Sequence, residues 1–476
     1  MAVIRAAQAR HSARRIFLLG LATGGVYFAG TLYWLVETMT TFGGLATPLA
    51  AFAAALLVAY LSLFPAVFAL ALARLHRAFG TTALLLAAPV WVATELGRQY
   101  VWDGFPWALL GYSQVTVLPV AQVVSIVGVY GLSGILALVA SAAAMVALDA
   151  TWRRWAFVAA TVLLVAATTF WGSARLRDSR LVSSGSPIRV AVLQGNIAQE
   201  DKWNPELRDA ITDRYVQMTR DALAAGARFI IWPESSTPFY FERDIIRGGA
   251  IRRLAAEHQA TLLIGSDQVE PLRASPAADE ASSEYYNAAF LVKPDGQVGA
   301  VYRKMHLVPF GEYVPLKTLL FFVGPIVEAV SAFTPGRDPV LLPVGENRAS
   351  TAICYEVIFP SLIRRFVLDG SELLTTITND AWYGRSSAAY QHWEQASMRA
   401  IEQGRYLARA ANTGISGFVD PYGRVLQASD LFEPAVLVQD VRFLQHRTIY
   451  NRIGDVVAWL SLALVAAALL ATWRVR

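Results

Sequence analysis

The sequence predicts a multi-span α-helical membrane domain joined to an α/β extramembrane domain, and three observations predict it. Of the 476 residues, 55% are hydrophobic and only 16% are charged, where an ordinary soluble domain carries about 25% charged residues. The apolar residues are also unevenly placed. They form long runs up to residue 172, give way to an ordinary soluble composition over residues 187–445, and return in a last run at 455–473. Within 187–445, short β-rich runs alternate with helical patterns, as a sheet covered by helices requires.

A helix crossing a hydrocarbon core about 30 Å thick needs roughly 20 mainly apolar residues. Six runs qualify: 16–37, 47–74, 80–97, 118–148, 155–172 and 455–473. Five therefore belong to a membrane domain over residues 1–172, and the sixth follows the extramembrane domain. Arg10, Arg14 and Arg15 precede the first run. Arg74, His76 and Arg77 separate the second from the third, Arg153 and Arg154 separate the fourth from the fifth, and Arg474 and Arg476 follow the last. If every run spans once, all four clusters share one side, which the positive-inside rule makes the cytoplasm. The loops Glu37–Leu45 and Gly97–Val117 carry almost no basic charge. The domain after the fifth run is then expected on the outer face. A net charge of +5 placed beside apolar runs speaks for topology and not for nucleic-acid binding. A basic segment before the first run also suits a signal peptide, but the apolar stretch is too long and no small-residue cleavage site follows it.

In the extramembrane domain, strands are expected at Ile188–Gln194, Arg228–Trp232, Thr261–Gly265, Asn287–Val292, Gln297–Arg303, Ser350–Ile353 and Leu373–Thr378. Helices are expected at Pro205–Ala224, Ile245–Gln259 and Ser361–Leu368. Ser416–Val419 and Arg424–Gln427, joined by Asp420-Pro421-Tyr422-Gly423, form a hairpin with a turn. Pro271–Glu284, rich in Ala, Ser, Asp and Glu, is expected to be a surface loop. Sheet-on-sheet packing with helices outside accommodates these elements.

Three reactive side chains sit immediately after strands, where α/β sheets bind ligands. They are Glu234 after Phe229–Pro233, Lys304 after Tyr302-Arg303, and Cys354 after Ala352-Ile353. Cys354 is the only cysteine, so no intrachain disulfide forms. A lone cysteine is usually a small buried apolar residue; here a carboxylate and an ammonium complete a nucleophilic apparatus around it. A free thiol ionises near pH 8.5, so attack on a carbonyl needs a base, which Glu234 can supply. The oxyanion that follows needs positive charge and N–H donors, which Lys304 and the Tyr355 backbone N–H can supply.

These residues resemble the nitrilase superfamily, and the match is closer to its membrane-embedded branch, apolipoprotein N-acyltransferase. The resemblance is carried by Gln194–Ile197 with Lys202-Trp203, by Ile231–Ser235, by His306–Pro315 and by Ala352–Glu356. Asn379–Gly384 and the loops Thr41–Gly44, Gly104–Trp107 and Gly111–Gln114 extend it over nearly the whole chain. It implies an α-β-β-α sandwich for residues 187–445. It also implies Glu234 as general base, Lys304 as oxyanion stabiliser and Cys354 as acylated nucleophile. Glu312 would support Lys304 and Glu234, while Tyr355 and Glu356 would line the site beside the thiol. Trp203, Trp382, Tyr383 and Gly384 would sit on mobile arms over the entrance. Glu312 and Glu356 also suit ordinary ion pairs, Trp203 and Trp382 suit plain packing, His306 suits a structural place, and Asn379-Asp380 suits a turn. The family has eight spans where six runs are found here, so an N-terminal pair is expected to be missing, with orientation preserved.

The implied reaction moves a fatty acyl chain from a phospholipid, through a Cys354 thioester, to the N-terminal α-amine of a diacylglyceryl-cysteine lipoprotein. It needs no metal or organic cofactor and no nucleic acid. The setting is a bacterial inner membrane with the catalytic domain on the periplasmic face. A membrane-anchored amidase or hydrolase with the same triad is the nearest rival. A transporter or scaffold carrying a dead domain is a second rival, but Glu37 and Glu95 lie near span ends and offer no polar pathway. The loop Trp102–Gln114 suits an interfacial aromatic belt or a substrate-facing floor.

Overall fold

The structure, a computed structural model, describes residues 2–8, 12–271, 283–309, 311–313 and 333–473. The chain divides into two compact units, Met1–Ser179 with Thr448–Arg476, and Arg180–Arg447.

In the first unit each apolar run folds as helix. Thr47–Tyr100, Val124–Leu148 and Arg153–Ser183 are long and apolar enough to cross a membrane, and the pair Ala13–Thr31 and Trp34–Thr41, bent by 54°, makes a fourth if it counts as one span. Thr47–Tyr100 measures 54 residues, about 80 Å of helix at 1.5 Å per residue, and therefore holds two runs. Its first helix ends at Gly80, where φ is +62°, and a 3-10 segment over Gly80–Leu86 turns the chain. Helix Ala87–Tyr100 then packs back on the first, with Gly97 facing the Phe64 ring. The fourth run is not continuous. Leu118–Ala121 is a separate turn of helix, and Gly128, at φ +68°, kinks Val124–Leu148. A Cβ at Gly128 would fall 2.4 Å from the Tyr450 ring. The last run, Val456–Ala471, has 16 residues, fewer than the roughly 20 of a perpendicular span.

The basic clusters that lie on described residues gather at one end of this unit. Arg14 and Arg15 open helix Ala13–Thr31, whose Ile16 packs with Ala69 and Ala73 near Arg74 and Arg77. Thr81 donates to Asp149 at 2.6 Å, joining the turn after Arg77 to the loop before Arg153 and Arg154. Arg74 lies over the Trp473 ring at 5.8 Å and brings the end of the last helix to the same place. Arg10, Arg474 and Arg476 are outside the described residues. The aromatic loop lies at the other end of helices Ala13–Thr31 and Thr47–Phe79: the Tyr27 hydroxyl donates to the Ala108 carbonyl, and Tyr60 stacks on Trp102 at 4.9 Å.

The second unit is built on two six-stranded sheets. The strands are β1 (Ser186–Gln194), β2 (Phe229–Ile231), β3 (Thr261–Pro271), β4 (Ser283–Val292), β5 (Val298–Arg303), β6 (Leu342–Val344), β7 (Asn347–Ile353), β8 (Leu373–Thr378), β9 (Leu407–Ala411), β10 (Gly417–Val419), β11 (Val425–Ala428) and β12 (Ala435–Phe443). One sheet runs β12-β1-β2-β3-β4-β5 and the other β11-β10-β9-β8-β7-β6. β1, β2 and β3 are parallel, as are β7, β8 and β9, and the outer strands add antiparallel. The parallel strands are buried along most of their length, and β2 with the second half of β1 reads as apolar for that reason. Helix Arg208–Ala224 covers the first sheet with Ile211, Tyr215, Met218 and Ala222 on its buried face. Helices Pro360–Leu368 and Ser387–Gln403 belong to the second sheet. Ser386 caps the latter through its side chain, and Gly404 closes it in the left-handed conformation. The sheets are tied by the Gln194 side chain, which donates to the carbonyls of Asp430 and Glu433 and accepts from the hydroxyls of Ser416 and Ser429.

Every expected strand and helix of this unit is present, with ends shifted by a few residues. Among the described residues, the strands β6, β9 and β12 and the long helix Ser387–Gln403 were not expected. The segment read as a surface loop lies outside the described residues over 272–282, and its ends, Pro271 and Ser283-Glu284, extend β3 and β4.

Candidate active site

Glu234, Lys304 and Cys354 converge, each from the end of a different strand. Glu234 follows β2 and Lys304 follows β5 in the first sheet; Cys354 follows β7 in the second. The first two form a buried square of charge. Lys304 Nζ, 1% exposed by its side chain, lies 2.8 Å from Glu312 Oε1 and 3.4 Å from Glu234 Oε1. Asn287 on β4 donates to the same two oxygens, at 2.7 Å to Glu234 and 2.8 Å to Glu312. Burial pulls the Lys304 ammonium down, but Glu312 and Glu234, with Cys354 behind them, hold it well above its ordinary value. It is a fixed cation.

The Glu234 carboxylate is held from three sides. Besides Asn287 and Lys304 on Oε1, the Asn379 backbone N–H donates to Oε2 at 2.8 Å. Two oxygens offer about four acceptor sites, so Oε2 keeps a lone pair for a proton. The Glu234 carbonyl accepts from Lys202 Nζ at 3.0 Å. Burial lowers this second ammonium to about 8, against the pull of Glu234, Asp267 and Cys354. Asp267 is raised to about 6 by burial and accepts from the Ser235 hydroxyl at 2.8 Å. Gly265 lets β3 come this close, since a Cβ there would lie 2.1 Å from the Pro233 carbonyl oxygen.

Cys354 sits at φ +53°, a conformation that costs a non-glycine residue about 1–3 kcal/mol. It opens a 3-10 turn, Cys354–Ile358, directly off β7. Burial pushes the thiol well above its ordinary value. Glu234 adds to this, Lys304 opposes it, Asp380 adds again, and the Thr378 hydroxyl opposes it. Glu356 braces the turn and does not offer a free carboxylate. Oε1 accepts from the Tyr302 hydroxyl and from the N–H groups of Met305 and His306, and Oε2 accepts from the Ile353 N–H. Burial raises this carboxyl to about 7 against those donors. The brace thus ties the end of β5, which carries Lys304, to the turn that carries Cys354.

The other expected residues divide. Glu312 joins the square and also accepts from the Val308 N–H through Oε2. Tyr355 is buried edge-on to Phe359, and His306 stacks on the same ring at 4.3 Å. Trp203 and Trp382 are 45% and 38% exposed. Tyr383 lies beside the site's acidic groups: burial first, then Cys354, Asp380 and Glu234, push its phenol well above the ordinary value. Gly384 ends the 3-10 turn Asp380–Tyr383 at φ +54°. Phe310, Val314 and Pro315 of the expected motif are outside the described residues. Asn379-Asp380 does more than turn the chain, since Asn379 holds Glu234. Asn287, His392 and Arg409 were given no role, and Lys202 was named only beside Trp203 as part of the resemblance. Two of them leave a trace: Asn287 interrupts the apolar run of β4, and Arg409 sits mid-way along the five residues of β9.

The carbon-nitrogen hydrolase family matches residues 189–448, and the apolipoprotein N-acyltransferase N-terminal domain matches residues 1–143. The apolipoprotein N-acyltransferase of Geobacter metallireducens is 39% identical over 460 residues, spanning 95% of this chain and 86% of its own. The chain belongs to the apolipoprotein N-acyltransferase family. A second member, from Methylococcus capsulatus, is 35% identical over 461 residues, spanning 94% of this chain and 85% of its own. Among solved structures, an amidase from Nesterenkonia sp. is similar at 23% identity and a TM-score of 0.42, covering 60% of this chain and 100% of that one. Membership makes the chain a membrane acyltransferase with a nitrilase-like unit of two sheets.

Because burial holds Cys354 as the thiol, its alkylation is expected to be base-limited. In the full-length protein, iodoacetamide labels this single cysteine alone. The rate should climb with pH up to roughly pH 9 with no plateau, since a thiol ionises near or above 8.5 when nothing lowers it. A plateau already reached by pH 7 would mean a thiolate stored as an ion pair with Lys304.

Proposed function

We propose that the chain transfers a fatty acyl group from a membrane phospholipid to the N-terminal α-amine of a diacylglyceryl-cysteine lipoprotein, through a thioester on Cys354. The observation that carries this reading is the meeting of a buried thiol, a carboxylate with a spare lone pair and a fixed ammonium at the ends of three strands. Family membership directs the chemistry to a lipid donor and a lipoprotein acceptor.

Glu234 takes the thiol proton as sulfur attacks the ester carbonyl. The tetrahedral oxyanion forms beside the Lys304 ammonium and the Tyr355 backbone N–H, whose charge and dipole stabilise it in a site with little water to screen them. The carbon–oxygen bond breaks, the lysophospholipid alkoxide recovers the proton from Glu234, and the thioester remains. The acceptor amine then attacks the thioester carbonyl. Its carbon–sulfur bond breaks, and the amine's proton returns by way of Glu234 to the thiolate. An α-amine ionises near 7.7–8.0, against about 10.4 for a lysine side chain. The terminal amine is therefore the better nucleophile near neutrality. Glu312 and Asn287 keep Lys304 and Glu234 in register, and Trp203 with Trp382–Gly384 controls lipid access.

The same reading sets the catalytic unit on the periplasmic side of the inner membrane. Basic residues gathered at one end of the helical unit support it, because that end faces the cytoplasm by the positive-inside rule and the five apolar runs of residues 1–172, each crossing once, would leave the catalytic unit on the opposite side.

Glu234→Gln and Lys304→Met are expected to slow thioester formation by roughly 10²-fold or more, as loss of a base or an oxyanion donor does. Quenched-flow mass analysis of the protein with phospholipid vesicles reads that step alone. A wild-type rate in Glu234→Gln would remove Glu234 from the role of base. For topology, Asp295→Cys in a Cys354→Ser background exposes one thiol on the β4–β5 turn. A membrane-impermeant thiol reagent should label it in intact spheroplasts, whereas labelling only after lysis would place the unit in the cytoplasm.

A further inference from the structure

Beneath the Cys354 turn lies a cluster of ionisable side chains that the chemistry above does not use. His392, on helix Ser387–Gln403, Asp380, just after β8, and Arg409, on β9, have fully buried side chains. His392 Nε2 lies 3.1 Å from the Cys354 carbonyl oxygen. A carbonyl only accepts, so Nε2 carries a proton and donates it. His392 Nδ1 lies 3.0 Å from Asp380 Oδ1 and 3.1 Å from Arg409 Nη2. Asp380 Oδ2 accepts from Arg409 at 2.6 Å, Asp380 Oδ1 accepts from the Thr378 hydroxyl at 2.7 Å, and Arg409 Nε donates to the Ile415 carbonyl at 3.2 Å.

Desolvating such groups costs several kcal/mol per ion, and apolar residues of the same volume would often serve stability as well or better. The cluster therefore needs another explanation, and its two ends supply one. One end grips the carbonyl of the residue whose backbone is left-handed. The other is Asp380, which follows Asn379, and Asn379 holds the Glu234 carboxylate through its N–H. Asn379 is itself pinned, accepting from Asn412 and donating to Gln199 through its side chain. A single dipeptide at the end of β8 thus fixes the base with its first residue and, through His392, the sulfur-bearing backbone with its second.

We propose that His392 is a positioning residue which, held by Asp380 and Arg409, locks the Cys354 backbone at the separation from Glu234 that proton transfer requires. The inference rests on Cys354 as the nucleophile. It goes beyond that reading by assigning the buried cluster to the reaction.

Two substitutions at one position separate positioning from packing. In His392→Gln the amide nitrogen takes the place of Nε2 and keeps a donor to the Cys354 carbonyl. In His392→Asn it takes the place of Nδ1, faces Asp380 and gives up Cys354. Full-length variants are mixed with phospholipid vesicles, and acyl uptake on Cys354 is followed by intact mass across lipid concentrations, with Tm measured in parallel. His392→Asn should lose roughly 10²-fold in the rate constant, the scale of a 1 Å misplacement, with half-saturation unchanged. His392→Gln should stay within about tenfold of wild type. If His392→Asn does not accumulate, Arg409→Lys is read the same way and should be slowed at unchanged half-saturation; a wild-type rate there would overturn the proposal. Equal rates in the Asn and Gln variants, or losses that only track Tm, would also overturn it. A wild-type protein that takes up no acyl group would overturn the proposed function and this inference together.

Discussion

Lys304 is an ammonium shut away from water between two carboxylates, and the rest of the site is arranged around the cost of keeping it there. A buried ion pair is strongly destabilised when one partner is removed, by about 3–5 kcal/mol, because the other charge is left unpaired. Here one cation answers two anions, so Asn287 supplies two further donors to the same oxygens. The consequence for chemistry is that Glu234 is held rigid beside an ammonium that its neighbours keep protonated. A fixed cation beside a rigidly held base suits a reaction in which negative charge appears on the substrate and then disappears.

The second constraint is the left-handed backbone of Cys354. Strain of this kind survives only where neighbours over-determine it, and three groups do so. Glu356 takes the Ile353 N–H on one side and the end of β5 on the other, His392 grips the Cys354 carbonyl, and β7 pairs in parallel with β8 up to Ile353. Both braces are themselves buried and hydrogen-bonded. The two sheets therefore meet at the site as one rigid body of polar contacts, with Lys304 and Glu234 from the first and Cys354 and Asn379 from the second.

The sequence told the strands of the catalytic unit by their apolar runs, and it told Glu234, Lys304 and Cys354 by their places just after strands. Helix Ser387–Gln403 escaped because it is buried nearly all round, which blurs the 3.6-residue alternation that marks a surface helix. β9 escaped because Arg409 breaks an apolar run of five, and β12 because its half-exposed residues carry no clear alternation. The supporting polar groups were harder still. Asn287, His392 and Asn379 act through partners 12 to 145 residues away in sequence, and no local pattern records such a bond. In the helical unit the runs were legible, as was the break that Arg74, His76 and Arg77 mark before Gly80, but the break inside 118–148 was not, since Gly128 looks like the other small residues of an apolar helix until the chain is seen to turn at it.

Transfer and hydrolysis share every step up to the thioester and part at its fate, so the lifetime of that thioester tests the account most directly. Purified protein is charged with phospholipid, freed of excess donor, and followed by intact mass with and without a diacylated peptide bearing a free N-terminal amine. The account predicts a single fatty acyl adduct, absent in Cys354→Ser, that persists in buffer and clears when the amine is added, with the acyl chain recovered as amide. An adduct that clears equally fast in buffer alone, releasing free fatty acid, would contradict it and make the chain a hydrolase.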